Sequence, residues 1–179
     1  WGQNIVNKLN GMFAFSIYDN ESKNIYLCRD RYGIKPLYYS TFKNYFIFSS
    51  EIKSIISYPE FDKQINNEVL YEYFTFQNIF SYSSLYKNIK ILEPGTILEI
   101  NTKNINQLEK IKYWDYNFTN INNKITFEEA TEELELILNT SISNQLVSDV
   151  EIGSYLSGGI DSSLVTAFAS KKIKYFPFS

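Results

Sequence analysis

The chain has 179 residues, 44% hydrophobic and 21% charged, with a net charge of −3, no histidine and one cysteine. The missing histidine excludes Ser-His-Asp and Cys-His catalysis and any histidine-ligated metal, and a lone cysteine excludes an intrachain disulfide framework. The acidic balance gives no general attraction to nucleic acid or anionic membrane, and no apolar run approaches the ~18 residues that cross a bilayer.

Met12 to Asp19 alternates as a strand, with Phe13, Phe15 and Ile17 on one face and Ala14, Ser16 and Tyr18 on the other. The polar run Asp19 to Asn24 supplies a turn, and Ile25 to Arg29 returns as the hairpin partner. Leu37 to Ser40 follows the break at Gly33 and Pro36, and Tyr45 to Ser49 follows a polar turn at Thr41 to Asn44. Asn66 or Asn67 caps a helix through Val69, Leu70, Tyr73 and Phe74. Tyr86 to Leu92, Glu93-Pro94-Gly95 and Thr96 to Ile100 read as strand, turn, strand. The expectation for this part is an antiparallel meander.

The Asn-rich stretch from Asn117 to Lys124 lacks periodicity and reads as a linker. Thr126 followed by Glu129 is a capping box, opening an amphipathic helix through Phe127, Ala130, Leu134, Ile137, Leu138 and Leu146 to about Val147. A strand at 151–156, a glycine turn, a helix at 162–170 and a strand at 173–178 then give β-α-β, the unit of a parallel sheet. One such unit and one helix do not cover both faces of a parallel sheet, so this second domain is expected to be incomplete.

Ser157-Gly158-Gly159-Ile160-Asp161-Ser162-Ser163 lies where a strand's carboxyl end meets a helix N-terminus, the place where open α/β sheets bind ligands. Paired glycines let backbone approach a ligand, and successive N–H groups with the helix N-terminus form an anion cradle. The hydroxyls of Ser157, Ser162 and Ser163 suit phosphate oxygens. Asp161 fits an anion site when a divalent cation lies between, which makes it a Mg²⁺ ligand, direct or through water. No lysine follows the glycines, so this is not a Walker A loop. The plainer reading is a capped helix after a glycine turn, bound to nothing; the strand–turn–helix setting favours phosphate.

These residues resemble the pyrophosphate loop of ATP pyrophosphatases, and the longer run from Ser148 to Ser163 is similar to the synthetase domain of glutamine-dependent asparagine synthetases. Leu9 to Phe15, Arg29 to Tyr39, Phe48 to Lys53 and Glu93 to Thr96 are similar to the glutaminase domain of the same family. The resemblance implies part of an Ntn-hydrolase-type glutaminase domain of antiparallel strands, over 1–117. A linker at 118–125 and the start of a doubly wound parallel-sheet ATP-pyrophosphatase domain over 126–179 would follow, an α+β and α/β combination. It implies amidation of aspartate to asparagine with glutamine as nitrogen donor, through a β-aspartyl adenylate and pyrophosphate release. The same fold also serves enzymes that amidate another carboxylate, such as one in a cell-envelope precursor, or close a β-lactam. A nucleotide-binding module without chemistry is the alternative of another class.

By position, the family's ATP site would comprise Tyr155, Leu156, Ser157, Gly158, Gly159, Ile160, Asp161, Ser162 and Ser163, with Asp161 on magnesium and Tyr155 and Leu156 beside the adenosine. An aliphatic residue is usual in the family where Tyr155 stands. The implied cofactors are ATP and Mg²⁺ and the small-molecule substrates ATP, aspartate and glutamine, with no nucleic acid or membrane partner. The single thiol and the absence of a signal-peptide pattern fit a cytoplasmic protein, and a homodimer is open to the full-length form. The family's glutaminase nucleophile is an N-terminal cysteine, whereas Trp1 stands first here. The catalytic groups are therefore expected outside this chain, which would be an internal fragment inactive by itself.

Four other features invite assignment. Cys28 sits in an apolar strand and reads as a buried core residue rather than a nucleophile. Arg29-Asp30-Arg31 reads as an ion-pair network pinning the Gly33–Pro36 loop, with a ligand patch as the alternative. Tyr71, Tyr73, Phe74, Phe76, Phe80 and Tyr82 read as packing rather than base stacking, since no basic surface accompanies them. The acidic face of Glu128, Glu129, Glu132, Glu133 and Glu135 reads as solvated.

Overall fold

A computed structural model describes residues 1–119, 124–173 and 177–178. Contacts divide the chain into unit 1, Trp1–Tyr116, and unit 2, Asn117–Ser179.

Unit 1 begins with a 3-10 helix, Gly2–Asn7. The hairpin β1 (Ala14–Asp19) and β2 (Asn24–Arg29) follows, then the hairpin β3 (Tyr38–Phe42) and β4 (Tyr45–Ser49). Next come α1 (Ile52–Ile56), α2 (Asn67–Phe76), β5 (Lys90–Ile91), β6 (Thr96–Asn101) and β7 (Asn104–Lys112). The strands form two antiparallel sheets, ordered β1-β2-β6-β7 and β4-β3-β5.

Strand alternation sorts side chains into layers. Leu27, Leu98 and Ile100 of one sheet and Tyr39 of the other share a core with Leu37 and Leu92. On the opposite face of the first sheet, Cys28 and Ile97 pack with Val6 from the 3-10 helix, beside Phe13 and Phe15. On the far face of the second, Ile55 of α1 packs with Phe61 and Ile89, against Tyr38, Phe42 and Ile47. The order is helix, sheet, sheet, helix.

The antiparallel architecture is as expected, but its connections are not those of a meander. Only Lys90 and Ile91 of the expected strand Tyr86–Leu92 are strand, because Asn88 turns into the left-handed region at φ +69°. That short strand pairs with β3, while Thr96 onward pairs with β2, so Glu93-Pro94-Gly95 passes between sheets instead of closing a hairpin. β7 and α1, with no counterpart in the sequence reading, add an edge strand and the outer helix of the second sheet.

Unit 2 contains α3 (Phe127–Gln145), β8 (Ser154–Tyr155), α4 (Ile160–Ser170) and β9 (Pro177–Phe178). The Thr126–Glu129 capping box is present in both directions. Ile142 packs on Phe168 and Ala169, joining α3 to α4. β8 and β9 pair in parallel, which completes the expected β-α-β unit with strands shorter than the sequence pattern. Residues 174–176 of the expected last strand, 120–123 of the expected linker and residue 179 lie outside the described residues. Among the described residues, no helix is long and apolar enough to cross a membrane.

Candidate functional site: the loop between β8 and α4

β8 ends at Tyr155, Leu156 leads out of it, and the chain turns at Gly158 with φ +81°, a conformation costly for any residue with a Cβ. Gly159 is the N-cap of α4 and carries no side chain to bond the first-turn amides. Those N–H groups have no partner within the helix and are open to an external acceptor. A Cβ built on Gly158 meets nothing within 4 Å, so the glycine leaves open space above the turn. Ile160, Asp161, Ser162 and Ser163 form the first turn of α4.

The hydroxyls are turned inward. Ser162 Oγ donates to Gly159 O at 3.1 Å, and Ser163 Oγ donates to the same oxygen at 2.8 Å. Ser157 Oγ lies 3.0 Å from Ser162 Oγ, and Gly159 N donates to Ser157 Oγ at 3.5 Å. A hydroxyl has one proton, and that of Ser162 goes to Gly159, so Ser157 is the donor to Ser162. The loop thus closes a small ring of its own hydrogen bonds. Behind it, Ser154 Oγ and Thr166 Oγ1 meet at 2.6 Å and tie β8 to the second half of α4.

Tyr155 and Ile160 are exposed, Leu156 is half-buried, and the Asp161 carboxylate stands in solvent on the first turn. Among the described residues, no cluster of three or more His, Cys, Asp or Glu could hold a metal ion. A cation at Asp161 would therefore take its other ligands from water or phosphate, the habit of Mg²⁺.

The other candidates sort clearly. Cys28 is wholly buried, and burial pushes its thiol up to about 12, far from the thiolate a nucleophile needs. Arg29 and Asp30 are 6% and 1% exposed. In place of the expected ion-pair network, both spend their charge on backbone. The Arg29 guanidinium donates to Lys35 O at 2.8 Å, Gly33 O at 2.6 Å and Leu92 O. The Asp30 carboxylate accepts from Phe13, Tyr32, Ile34 and Lys35 N–H groups at 3.0–3.2 Å. Arg31 donates to Leu9 O at 2.8 Å. Loop amides and carbonyls buried with these charges need partners, and the side chains supply them. Burial pushes the Asp30 carboxyl upward, but the backbone donors together outweigh it and hold it below its usual value.

The aromatic run departs from its expected role. Tyr71 and Phe74 are more than 70% exposed, and Phe76 and Phe80 stack edge-on at 5.9 Å on the surface. Only Val69 of α2 is buried. The contact that sequence reading missed is Gly95 with Trp114: Gly95 is buried at φ +61°, and a Cβ there would stand 2.5 Å from Trp114 O. The Pro94-Gly95 dipeptide was its only trace in the sequence.

Comparison with known proteins places two families on the chain in order. Residues 1–114 match the glutamine amidotransferase domain, and residues 133–176 match asparagine synthase. Among curated relatives, the chain is 31% identical over 171 residues to asparagine synthetase [glutamine-hydrolyzing] 3 of Bacillus subtilis, covering 95% of the chain and 27% of that protein. It is 36% identical over 180 residues to asparagine synthetase [glutamine-hydrolyzing] 2 of the same organism, covering 96% and 24%. It is 37% identical over 169 residues to the putative asparagine synthetase [glutamine-hydrolyzing] 2 of Methanocaldococcus jannaschii, covering 92% and 32%. The chain thus spans about a quarter to a third of the length of these relatives.

Proposed function

Since the chain belongs to the glutamine amidotransferase domain family, which it matches over residues 1–114, we propose that it is part of a glutamine-hydrolysing asparagine synthetase. Residues 1–117 would contribute to the glutaminase, 118–125 would link, and 126–179 would begin the ATP-dependent unit. The observation that carries this reading is the open-topped glycine loop between β8 and α4, inside the stretch that matches asparagine synthase. The whole enzyme would use ATP to activate aspartate and ammonia from glutamine to amidate it, in the cytoplasm.

The residues fit a nucleotide phosphate with Mg²⁺. Ser157, Gly158, Gly159 and Ser162 would hold the pyrophosphate end, Asp161 would bind the metal, and Tyr155, Leu156 and Ile160 would flank the nucleotide, with Ser163 in the cradle. Bound Mg²⁺ neutralises charge on phosphate oxygens. The protein's own part is preorganisation. The amides of the first turn of α4 are aimed before the ligand arrives, and the Ser157–Ser162 and Ser162–Gly159 bonds must open so that both hydroxyl protons can turn outward. A carboxylate resists ammonia because its leaving group would be oxide, which is why activation by a nucleotide is needed.

Asp161→Ala in the full-length protein tests the reading. The expected result is loss of aspartate-dependent pyrophosphate release, by at least a hundredfold, with glutamine hydrolysis unchanged. Retained synthesis would refute the magnesium role. The 179-residue chain alone should release no ammonia from glutamine, because its one thiol is buried; measurable release would overturn the account of Cys28.

A further inference from the structure

Unit 1 closes on three aromatic rings. Tyr32 lies on the turn that Asp30 ties down, and Trp114 and Tyr116 lie at the unit's other end in sequence. Tyr32 meets Trp114 edge-on with centroids 5.1 Å apart, Trp114 meets Tyr116 at 4.9 Å, and Tyr32 and Tyr116 are 6.2 Å apart. Tyr32 and Tyr116 are 61% and 58% exposed, so burial of area does not account for their arrangement.

A second set of contacts joins the same two segments beneath the rings. Gly95 donates to Asp30 O at 2.9 Å and accepts from Tyr113 N at 2.9 Å and Trp114 N at 3.3 Å. Tyr113 donates its hydroxyl to Arg29 O at 2.8 Å. The Asp30 turn and residues 113–116 are therefore tied at two levels, by backbone through Gly95 and by rings through Tyr32.

We propose that Tyr32, Trp114 and Tyr116 form a clasp that makes the Asp30 turn and the segment by which the chain leaves unit 1 open and close as one body. Tyr32 is a positioning residue for Trp114 and Tyr116. Ring pairs at these centroid distances, two of them edge-on and the Tyr32–Tyr116 pair tilted, contribute beyond their area, each shifting an opening equilibrium by a factor of about two to ten. Tyr32 makes two of the three pairs. Coupling of this kind is reciprocal: loosening either end must loosen the other by the same factor.

The test uses the 179-residue chain carrying Trp1→Phe, which leaves Trp114 as its only tryptophan. Adding Tyr32→Ala should raise amide exchange at Tyr113 and Trp114 about tenfold and shift Trp114 emission to the red. Tyr32→Phe should leave both within about twofold, since the contact uses the ring and not the hydroxyl. In the reverse direction, Tyr116→Ala should accelerate exchange at Ile34 and Lys35 by a similar factor, although it removes none of the Asp30 hydrogen bonds that protect those amides. A purely local role for Tyr32 would change its own turn and leave Tyr113 and Trp114 as they were, and that result overturns the clasp. So does a Tyr116→Ala chain whose Ile34 and Lys35 amides exchange at the original rate. If Tyr32→Ala fails to fold, the Tyr116→Ala arm decides alone.

Discussion

Asp30 accepts four backbone N–H groups while 1% exposed, which makes one carboxylate the anchor of the 32–35 turn and of the entry to β1. Asp30→Asn puts an NH₂ where an acceptor stood, facing amides that also donate, and should cost about 2–4 kcal/mol by urea denaturation. The folded carboxyl titrates below its ordinary value, so its contribution is complete above the unfolded pKa of about 4 and is lost as pH falls through the lower folded value. Unit 1 should therefore lose stability below about pH 4, and Asp30→Asn should flatten that slope; an unchanged slope would remove Asp30 as the source. Gly95→Ala belongs to the same neighbourhood. It asks for a Cβ 2.5 Å from a backbone carbonyl at φ +61°, and should destabilise by roughly 2 kcal/mol or more. The residue types at 29–31 announced a structural cluster; that they bond backbone and not each other was invisible, because the partners are the Phe13 N–H, the Leu92 carbonyl and the turn itself.

At the scale of elements, local chemistry explains some boundaries and tertiary pairing the rest. Thr126 and Glu129 bond reciprocally at the start of α3, so Thr126→Ala should cost about 1 kcal/mol, read as a lower midpoint in the helix signal. Asn66 holds the N-cap position of α2 without a side-chain bond, and Asn66→Ala should cost only a few tenths; equal costs would contradict the cap geometry. The capping box was legible because both partners lie within four residues. β5 was misread because its apolar run looks like a long strand, whereas Asn88 turns and only two residues meet β3. β7 escaped notice because as a solvated edge strand it shows little apolar alternation. The exposed rings of α2 show the limit of composition: an aromatic-rich helix need not be a buried one, and here only Val69 faces the core.

Across the whole molecule, each unit has its own core. Leu27, Leu98, Cys28 and Ile55 centre the layers of unit 1, and Ile142 with Phe168 centres unit 2. Both tryptophans belong to unit 1, and α3 and α4 are the two longest helices among the described residues. Fluorescence therefore reports unit 1, while the helical signal draws on α3 and α4 of unit 2 and on the shorter α1 and α2 of unit 1. Asp30→Asn should move the fluorescence transition together with the part of the helical signal that α1 and α2 carry, and Thr126→Ala should move only helical signal; a single shared transition that moves with either would show one cooperative body. The sequence by itself determined the period-two strands, the capping box, the glycine turn ahead of α4 and the family resemblance, since each rests on residues adjacent or a few apart. Only the tertiary structure decided that β2 pairs with β6 and β3 with β5, that Arg29 and Asp30 bond backbone, and that Gly95 must lie against Trp114. Those contacts join residues far apart in sequence, and such partners leave no local pattern to read.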